Sequence, residues 1–551
     1  MPVRIPADQH ETVVSVLREA ARVNGGVEAY VELDEEGGRR SLTFAEWDRA
    51  ADGVAGHLAR LGVAKGDVVC LLLPSSIEYA VLYAALLRLG AITSGINPRM
   101  GAGEVASIVD RTAPVLLVLD PETGLGHDAG TVEVVSRTQA RSWWGEEPPE
   151  SWPQLSSSDP VAVVWTSGTT GRPKGALFDH ANLAAVARGT DVLSHPGDRR
   201  LSPLPFAHVG YMTRAWDEIG NAVTTVITPT PWRADDAIRV MADEAVTVAQ
   251  GVPTQWALML ASGELPGADL SALRVAGTGA ARMTASMVAE VRRRFGVPVV
   301  VRYTSTESSL GTGTTLTSSD EEVATTVGHP VAGVELAIVD DAGDPVPPGS
   351  VGRVLLRSAA VMRGYWGRGP GRGRSVPELV DAAATGAVLA PDEWLTTGDF
   401  GRLTAEGNLQ LSGRAHERYI RGGYNVYPAE VEEALSSHPA IERAAVVGVT
   451  DEVLGEVGVA VVVAAPGAQP DLASLREHCA KELSDYKAPD ALVVVGELPL
   501  TPMMKVDPVR LAALAARGAE ERRRSLAQSR RPGAGVLGSG TTGAEDEKER
   551  A

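Results

Sequence analysis

Residues Val163-Val164-Trp165-Thr166-Ser167-Gly168-Thr169-Thr170-Gly171-Arg172-Pro173-Lys174-Gly175 run from an apolar strand into hydroxyls and glycines that end on a lysine. Glycines let a backbone turn sharply and bring N–H groups close to an anion. Ser and Thr add donors, and a lysine adds mobile positive charge. The stretch therefore reads as a phosphate cradle. It is not the P-loop of ordinary nucleotide hydrolases, because Gly175 follows Lys174 where Ser or Thr would supply a magnesium ligand.

The bulk properties limit what else the chain can do. Its formal net charge is -19, a field that repels nucleic acid and anionic membrane surfaces but leaves room for a locally cationic anion site. Cys70 and Cys479 are its only cysteines, too few for a disulfide framework and suited to a reducing compartment. Cys479 shares helical spacing with Leu472, Leu475 and Leu483 and reads as core. Val68 to Ile92 is apolar but interrupted by Pro74, Glu78 and Arg88, which predicts a strand, a turn and a buried helix, not a membrane span. A start without a charged-then-apolar signal pattern leads us to expect a cytoplasmic protein with no stable membrane insertion.

Elements of alternating type must hold the cradle in place. Thr43 and Glu46 form a capping box, Phe44, Trp47, Ala51, Val54, Leu58 and Leu61 follow at helical spacing, and Gly62 supplies a left-handed stop. Val68–Leu73, Val115–Leu119 and Val161–Thr166 read as buried strands between such helices, the signature of α/β architecture with largely parallel sheets. Beyond about residue 330, Val334–Val339 and Val351–Arg357 alternate between Gly and Pro turns and predict a small β-barrel or sheet. After Arg414 the pattern becomes a compact α+β unit. The expected fold class is thus α/β: a large N-terminal domain of two α/β subdomains plus a small β-barrel-like subdomain, followed by a mobile α+β domain. The expected boundaries are 1–414, 415–516 and a disordered tail over 517–551, which is too poor in apolar residues to offset its ordering entropy.

The cradle, T-S-G-T-T-G-R-P-K-G, resembles the phosphate-binding motif of the adenylate-forming superfamily, whose members include acyl-CoA synthetases. The resemblance continues in order over roughly residues 10–515. Pro205-Phe206-Ala207-His208-Val209-Gly210 is similar to the family's His motif, which implies that His208 gates the acid pocket. Gly277-Thr278-Gly279-Ala280-Ala281 resembles the turn beside adenine and acyl group, which brings Gly279 and Ala280 to the nucleotide. Tyr303-Thr304-Ser305-Thr306-Glu307 resembles Y-G-x-T-E. By that match Tyr303 stacks on adenine with Thr304 beside it, Thr306 contacts the α-phosphate and Glu307 holds Mg²⁺, a role suited to a hard carboxylate oxygen. Thr397-Gly398-Asp399 resembles T-G-D, whose Asp accepts from both ribose hydroxyls.

Gly413 to Glu432 is similar to the family's hinge and CoA loop. It implies Arg414 on ribose or phosphate, His416 as hinge, and Arg421, Gly422, Gly423 and Tyr424 along CoA. Pro499-Leu500-Thr501-Pro502-Met503-Met504-Lys505 resembles P-x-T-x-x-G-K and makes Lys505 the adenylation lysine. Thr166, Ser167, Gly168, Thr169, Thr170, Gly171 and Lys174 complete the implied ATP contacts.

These matches imply an ATP-dependent, AMP-forming acyl-CoA ligase using ATP, Mg²⁺ and CoA. Three residues depart from the pattern: Thr304 and Met504 replace glycines, and His416 replaces the usual Asp or Lys. They leave a second reading open, a ligase that mainly converts a supplied acyl-adenylate made by a partner adenylating enzyme. A third is an adenylating enzyme that loads a carrier protein. A homodimer is compatible with either. Small residues at Gly277, Gly279, Ala280, Ala281 and Gly311 are expected to give room for a medium, long or bulky polycyclic acyl group.

Overall fold

In the computed structural model, which describes residues 2–34, 38–120, 132–166, 173–190, 192–202, 205–414, 418–421, 424–451, 454–481, 483–501 and 504–529, the expected local signals are present. Thr43 and Glu46 satisfy each other's backbone N–H groups at the start of helix Phe44–Arg60, and Gly62 follows the helix at φ +90°. Helix Ile77–Leu89 is capped by Ser76 and closed by Gly90 at φ +64°. Every residue of that helix is buried. Its one guanidinium, Arg88, reaches Asp48 and Asp52 of the preceding helix at 2.5 Å each, so the buried charge is compensated.

The chain divides into two compact units. The first takes Met1–His416 together with Leu500–Val506, and the second takes Glu417–Pro499 and the chain from Asp507.

The larger unit holds three sheets among the described residues. One has seven strands in the order Gly364–Tyr365, Lys174–Asp179, Pro160–Thr166, Ile92–Ile96, Val68–Leu72, Leu116–Leu119 and Glu133–Ser136. The last five are mutually parallel, while Lys174–Asp179 and Gly364–Tyr365 add antiparallel at one edge. A nine-stranded sheet carries parallel neighbours Val248–Gly251, Val275–Gly279 and Val299–Tyr303. The largest core joins the two sheets, with Tyr30 and Ile227 from one and Val69 and Leu71 from the other meeting residues of helices Phe44–Arg60 and Ile77–Leu89. The third sheet has four antiparallel strands ending in Leu395–Leu403 and Leu409–Arg414. This is the small β subdomain expected beyond about residue 330.

The smaller unit is a five-stranded sheet built on the long antiparallel pair Ile441–Asp451 and Gly455–Ala464. Gly448 and Gly458 pair across these strands and make a slot for Tyr419. A Cβ at either would come within 2.3 Å or 2.2 Å of Tyr419 atoms. Cys479 is fully buried in this unit's core.

The expectation of disorder from residue 517 is corrected in part: a helix spans Pro508–Ser529. Its alanines and one glycine do what larger apolar residues do elsewhere. Ala515 and Ala519 are buried, and Gly518 lets the helix approach Val493 and Val459. Arg522 donates to Asp451 at 2.7 Å. Close approach of small residues supplies the contact area that composition alone did not suggest. Residues 530–551 lie outside the described residues. No described helix is long and apolar enough to cross a membrane.

Candidate active site

Three strands of the larger unit end on residues of chemical interest: Pro160–Thr166 on Thr166, Val275–Gly279 on Gly279, and Val299–Tyr303 on Tyr303. The C-terminal ends of parallel strands are where open α/β sheets bind ligands. Thr166 faces Lys174 across an antiparallel pair, and the Lys174 N–H donates to the Thr166 hydroxyl at 3.4 Å. Residues 167–172 between them, with Ser167, Gly168, Thr169, Thr170 and Gly171, lie outside the described residues.

Lys174 and Glu307 meet at a residue that sequence reasoning missed. The Tyr365 hydroxyl donates to Glu307 Oε1 at 2.7 Å, and Lys174 Nζ lies 5.0 Å from the centroid of the same ring. Burial, then the Glu307 carboxylate, push the Tyr365 phenol far above its ordinary value, so the hydroxyl remains a donor. Thr306 and Glu307 sit on a turn held by Ser305 and Ser308. Each backbone N–H donates to the other's hydroxyl, at 2.9 Å and 3.1 Å.

Beside this turn, the Tyr303 hydroxyl donates to Asp399 Oδ2 at 2.5 Å. Asp399 lies opposite Arg414 in an antiparallel pair, which sets those two positions side by side along the backbone. Gly279 is followed by Ala280 at φ +66°, a left-handed turn residue. Thr304 is exposed and keeps negative φ, so replacing glycine there costs no backbone strain.

Three of the small residues expected to leave room for an acyl group, all glycines, lie close to other parts of the chain. A Cβ at Gly279 would lie 2.7 Å from the Arg302 carbonyl, and one at Gly311 would lie 2.2 Å from the Tyr303 carbonyl. A Cβ at Gly277 would meet Gln250 at 3.1 Å. These glycines serve close packing around strand Val299–Tyr303 and Gln250, and their size says nothing about the acid.

His208 caps helix Val209–Met212, its Nδ1 accepting from the Gly210 N–H at 3.2 Å. A neutral imidazole with Nδ1 as acceptor carries its proton on Nε2, so His208 offers a donor there. Burial first, and the Lys505 charge second, push His208 down to about 4. The native state thus refuses a proton that the unfolded chain accepts below about 6.5. This contribution to stability is complete above that pH and is lost as pH falls from 6.5 toward 4. His208→Asn keeps a cap acceptor. Wild type should lose about 1–3 kcal/mol more than this variant over that window, read from urea melts at each pH. Parallel losses in both proteins would contradict the assigned proton state.

Lys505 is exposed on the segment that groups with the larger unit. The turn is closed by Thr501 N–H on the Lys505 carbonyl at 2.6 Å and by Met504 N–H on the Thr501 carbonyl at 2.9 Å. Met504 stands at φ +60°, the conformation that the missing glycine would adopt freely. The Thr254 hydroxyl donates to the Met504 carbonyl at 3.3 Å.

Comparison with known proteins decides what this assembly is. A model of the AMP-binding enzyme family matches residues 17–366, and one of the AMP-binding enzyme C-terminal domain matches residues 430–505. The chain belongs to the AMP-binding enzyme family.

Within this family it is 33% identical over 497 residues to an indoleacetate–CoA ligase of Aromatoleum aromaticum, covering 86% of this chain and 94% of the relative. It is 30% identical over 505 residues to a long-chain-fatty-acid–CoA ligase of Mycobacterium tuberculosis, covering 89% and 96%. The crystal structure of ATP-bound MatB from Rhodopseudomonas palustris superposes with TM-score 0.78 at 26% identity, over 90% of this chain and 98% of that one. The protein is accordingly an acid–thiol ligase of the adenylate-forming superfamily, in its AMP-forming acyl-CoA synthetase branch.

The positions expected along CoA belong to the smaller unit. Arg421 donates twice to Asp490, at 2.8 Å and 2.9 Å, while Arg476 lies 3.6 Å from the same carboxylate. The Arg421 guanidinium is thus anchored by a buried aspartate that sequence reading did not single out. Tyr424 pairs with Arg421 along the backbone. Gly422, Gly423 and the hinge position His416 lie outside the described residues.

Tyr365 escaped sequence reading because strand Gly364–Tyr365 is only two residues long and has no periodicity to detect. Its one visible signal was a Gly-Tyr-Trp run in a chain whose aromatic content is 5%.

Proposed function

We propose that this AMP-forming ligase activates a carboxylic acid in two steps on one scaffold, first as acyl-AMP and then as a CoA thioester. A carboxylate is a poor electrophile because its leaving group would be oxide. Attack of a carboxylate oxygen on the α-phosphorus of ATP expels pyrophosphate and leaves an acyl phosphate anhydride. The CoA sulfur then forms a bond to the acyl carbon, the carbon–oxygen bond to phosphate breaks, AMP departs and the thiol proton is lost to solvent. The first step asks the protein mainly to hold two anions together and to stabilise spreading phosphoryl charge.

The observation that carries this reading is a pair of contacts among the motif residues: Lys174 and Glu307 both meet Tyr365, and Tyr303, four residues before Glu307, donates to Asp399. Lys174 and the hydroxyl-rich turn hold phosphates. Tyr303 and Gly279-Ala280 flank adenine, with Thr304 beside them. Asp399 and Arg414 hold the ribose side, and Thr306 touches the α-phosphate. His208 meets the acid as an Nε2–H donor. Glu307 is a single hard carboxylate beside a phosphate site, a donor set that fits Mg²⁺, which keeps few protein ligands near nucleotides. When bound, Mg²⁺ would neutralise charge on the departing pyrophosphate. Lys505 supplies a cation to the first step. Rotation at His416 then withdraws it and brings Arg421, Gly422, Gly423 and Tyr424 to CoA.

One observation favours the second reading, conversion of a supplied acyl-adenylate: Met504 holds a left-handed backbone that costs a non-glycine residue about 1 kcal/mol. That cost is small beside the barrier reduction of an adenylating site, so the complete ligase is preferred. A panel of aryl, aliphatic and polycyclic acids with MgATP and CoA, read by mass spectrometry, tests it. AMP and thioester should appear in equal amounts with at least one acid. Thioester only from synthetic acyl-AMP would favour the split ligase, and acylation of a carrier protein in preference to CoA would favour the loading enzyme.

A further inference from the structure

The nucleotide site draws on two sheets that share no strand, and residues Met362–Trp366 tie them together. The Met362 N–H donates to the Glu307 carbonyl at 2.8 Å, on the turn that follows the nine-stranded sheet's strand Val299–Tyr303. The next residues then zip onto strand Lys174–Asp179 of the other sheet. Arg363 N–H donates to the Leu177 carbonyl at 2.8 Å, Tyr365 pairs with Ala176, and Trp366 N–H donates to the Gly175 carbonyl at 2.6 Å.

Arg111 locks the far end of this tie. Its guanidinium donates to the Pro173 carbonyl at 2.6 Å and to the Trp366 carbonyl at 2.9 Å. The Trp366 indole N–H donates back to the Arg111 carbonyl at 3.2 Å. The backbone on both sides of Tyr365 is therefore fixed, and its side chain has little freedom left. From that fixed base the hydroxyl reaches Glu307 and the ring face meets Lys174.

We propose that Tyr365 is a positioning residue that sets the spacing between Lys174 and Glu307, and hence between the two charges that flank the triphosphate during adenylation. The inference rests on the ligase reading above. A lysine on a flexible stem and a carboxylate on a turn would otherwise pair directly with each other. Direct pairing would spend both charges before ATP arrived. The phenol separates them with a donor for the anion and a π-face for the cation, so each stays charged, oriented and available to substrate.

Two variants take the roles apart. Tyr365→Phe keeps the ring under Lys174 and deletes the donor, whereas Tyr365→Leu removes both. Acid-dependent exchange of pyrophosphate into ATP, thioester formation from synthetic acyl-AMP and CoA, melting temperature, and calorimetric ATP affinity in Mg²⁺ and in EDTA are compared with wild type. Tyr365→Phe should lower the exchange rate about ten- to a hundredfold. It should weaken ATP binding in Mg²⁺ but not in EDTA, and leave transfer within about threefold. Tyr365→Leu should weaken ATP binding in EDTA as well. Wild-type exchange and affinities in Tyr365→Phe would overturn the proposal. So would a proportional loss of exchange and transfer together with a lower melting temperature, the mark of a merely structural residue. If wild type itself exchanges with no acid, the ligase reading fails, while the affinities in Mg²⁺ and EDTA still report on Tyr365.

Discussion

Lys505→Ala should cut acid-dependent pyrophosphate exchange by about a hundred- to a thousandfold, some 3–4 kcal/mol of transition-state stabilisation. Conversion of supplied acyl-AMP to thioester should fall no more than about threefold in the same protein. The asymmetry follows from where the residue stands. Lys505 is exposed on a hydrogen-bonded turn, so truncating it removes a charge without opening a cavity. Its charge also helps to lower His208, the residue expected to meet the acid. Met504 beside it stands at φ +60°, a conformation open to a methionine at modest cost, so the missing glycine does not by itself argue against this role. Parallel measurement of both half-reactions checks this, and equal losses in the two would deny Lys505 its role.

Gly311→Val should damage both stability and the proposed adenine site. A Cβ there would lie 2.2 Å from the Tyr303 carbonyl, a backbone atom that cannot swing aside. Strand Val299–Tyr303 would have to shift, and the Tyr303–Asp399 hydrogen bond would open with it. Overpacking of this kind costs about 2–3 kcal/mol. We expect a lower melting temperature and at least a tenfold loss of affinity for AMP. Gly263→Val is the matching control: that position is exposed, a Cβ there would meet nothing within 4 Å, and both quantities should stay near wild type. Unchanged AMP affinity in Gly311→Val would mean that the Tyr303–Asp399 pair does not hold the nucleotide.

These two positions show what a sequence can and cannot reveal. Short-range signals were legible because their physics is local. The Thr43–Glu46 capping box, the Gly62 stop and the buried strand Val68–Leu72 each depend on neighbours a few residues away. Motifs made of contiguous residues singled out Lys174, Tyr303, Glu307 and Asp399 as candidates because such motifs can be read without a distant partner. Tyr365 and Arg111 were invisible because their partners are distant in the chain: Arg111 and Trp366 are 255 residues apart.

Gly279 and Gly311 were misread as spare volume because composition cannot tell a glycine beside a cavity from one beside another backbone. The tail was misread for a related reason. Alanine, glycine and arginine look like poor core formers until a helix brings Ala515, Gly518 and Ala519 onto one sheet face.

The most direct test of the account repeats the product analysis with an acid labelled in both carboxylate oxygens with ¹⁸O. If a carboxylate oxygen attacks the α-phosphorus and CoA later displaces AMP at the acyl carbon, each AMP carries one ¹⁸O and each thioester retains one. Label in inorganic phosphate, or AMP without label while labelled thioester accumulates, would contradict it.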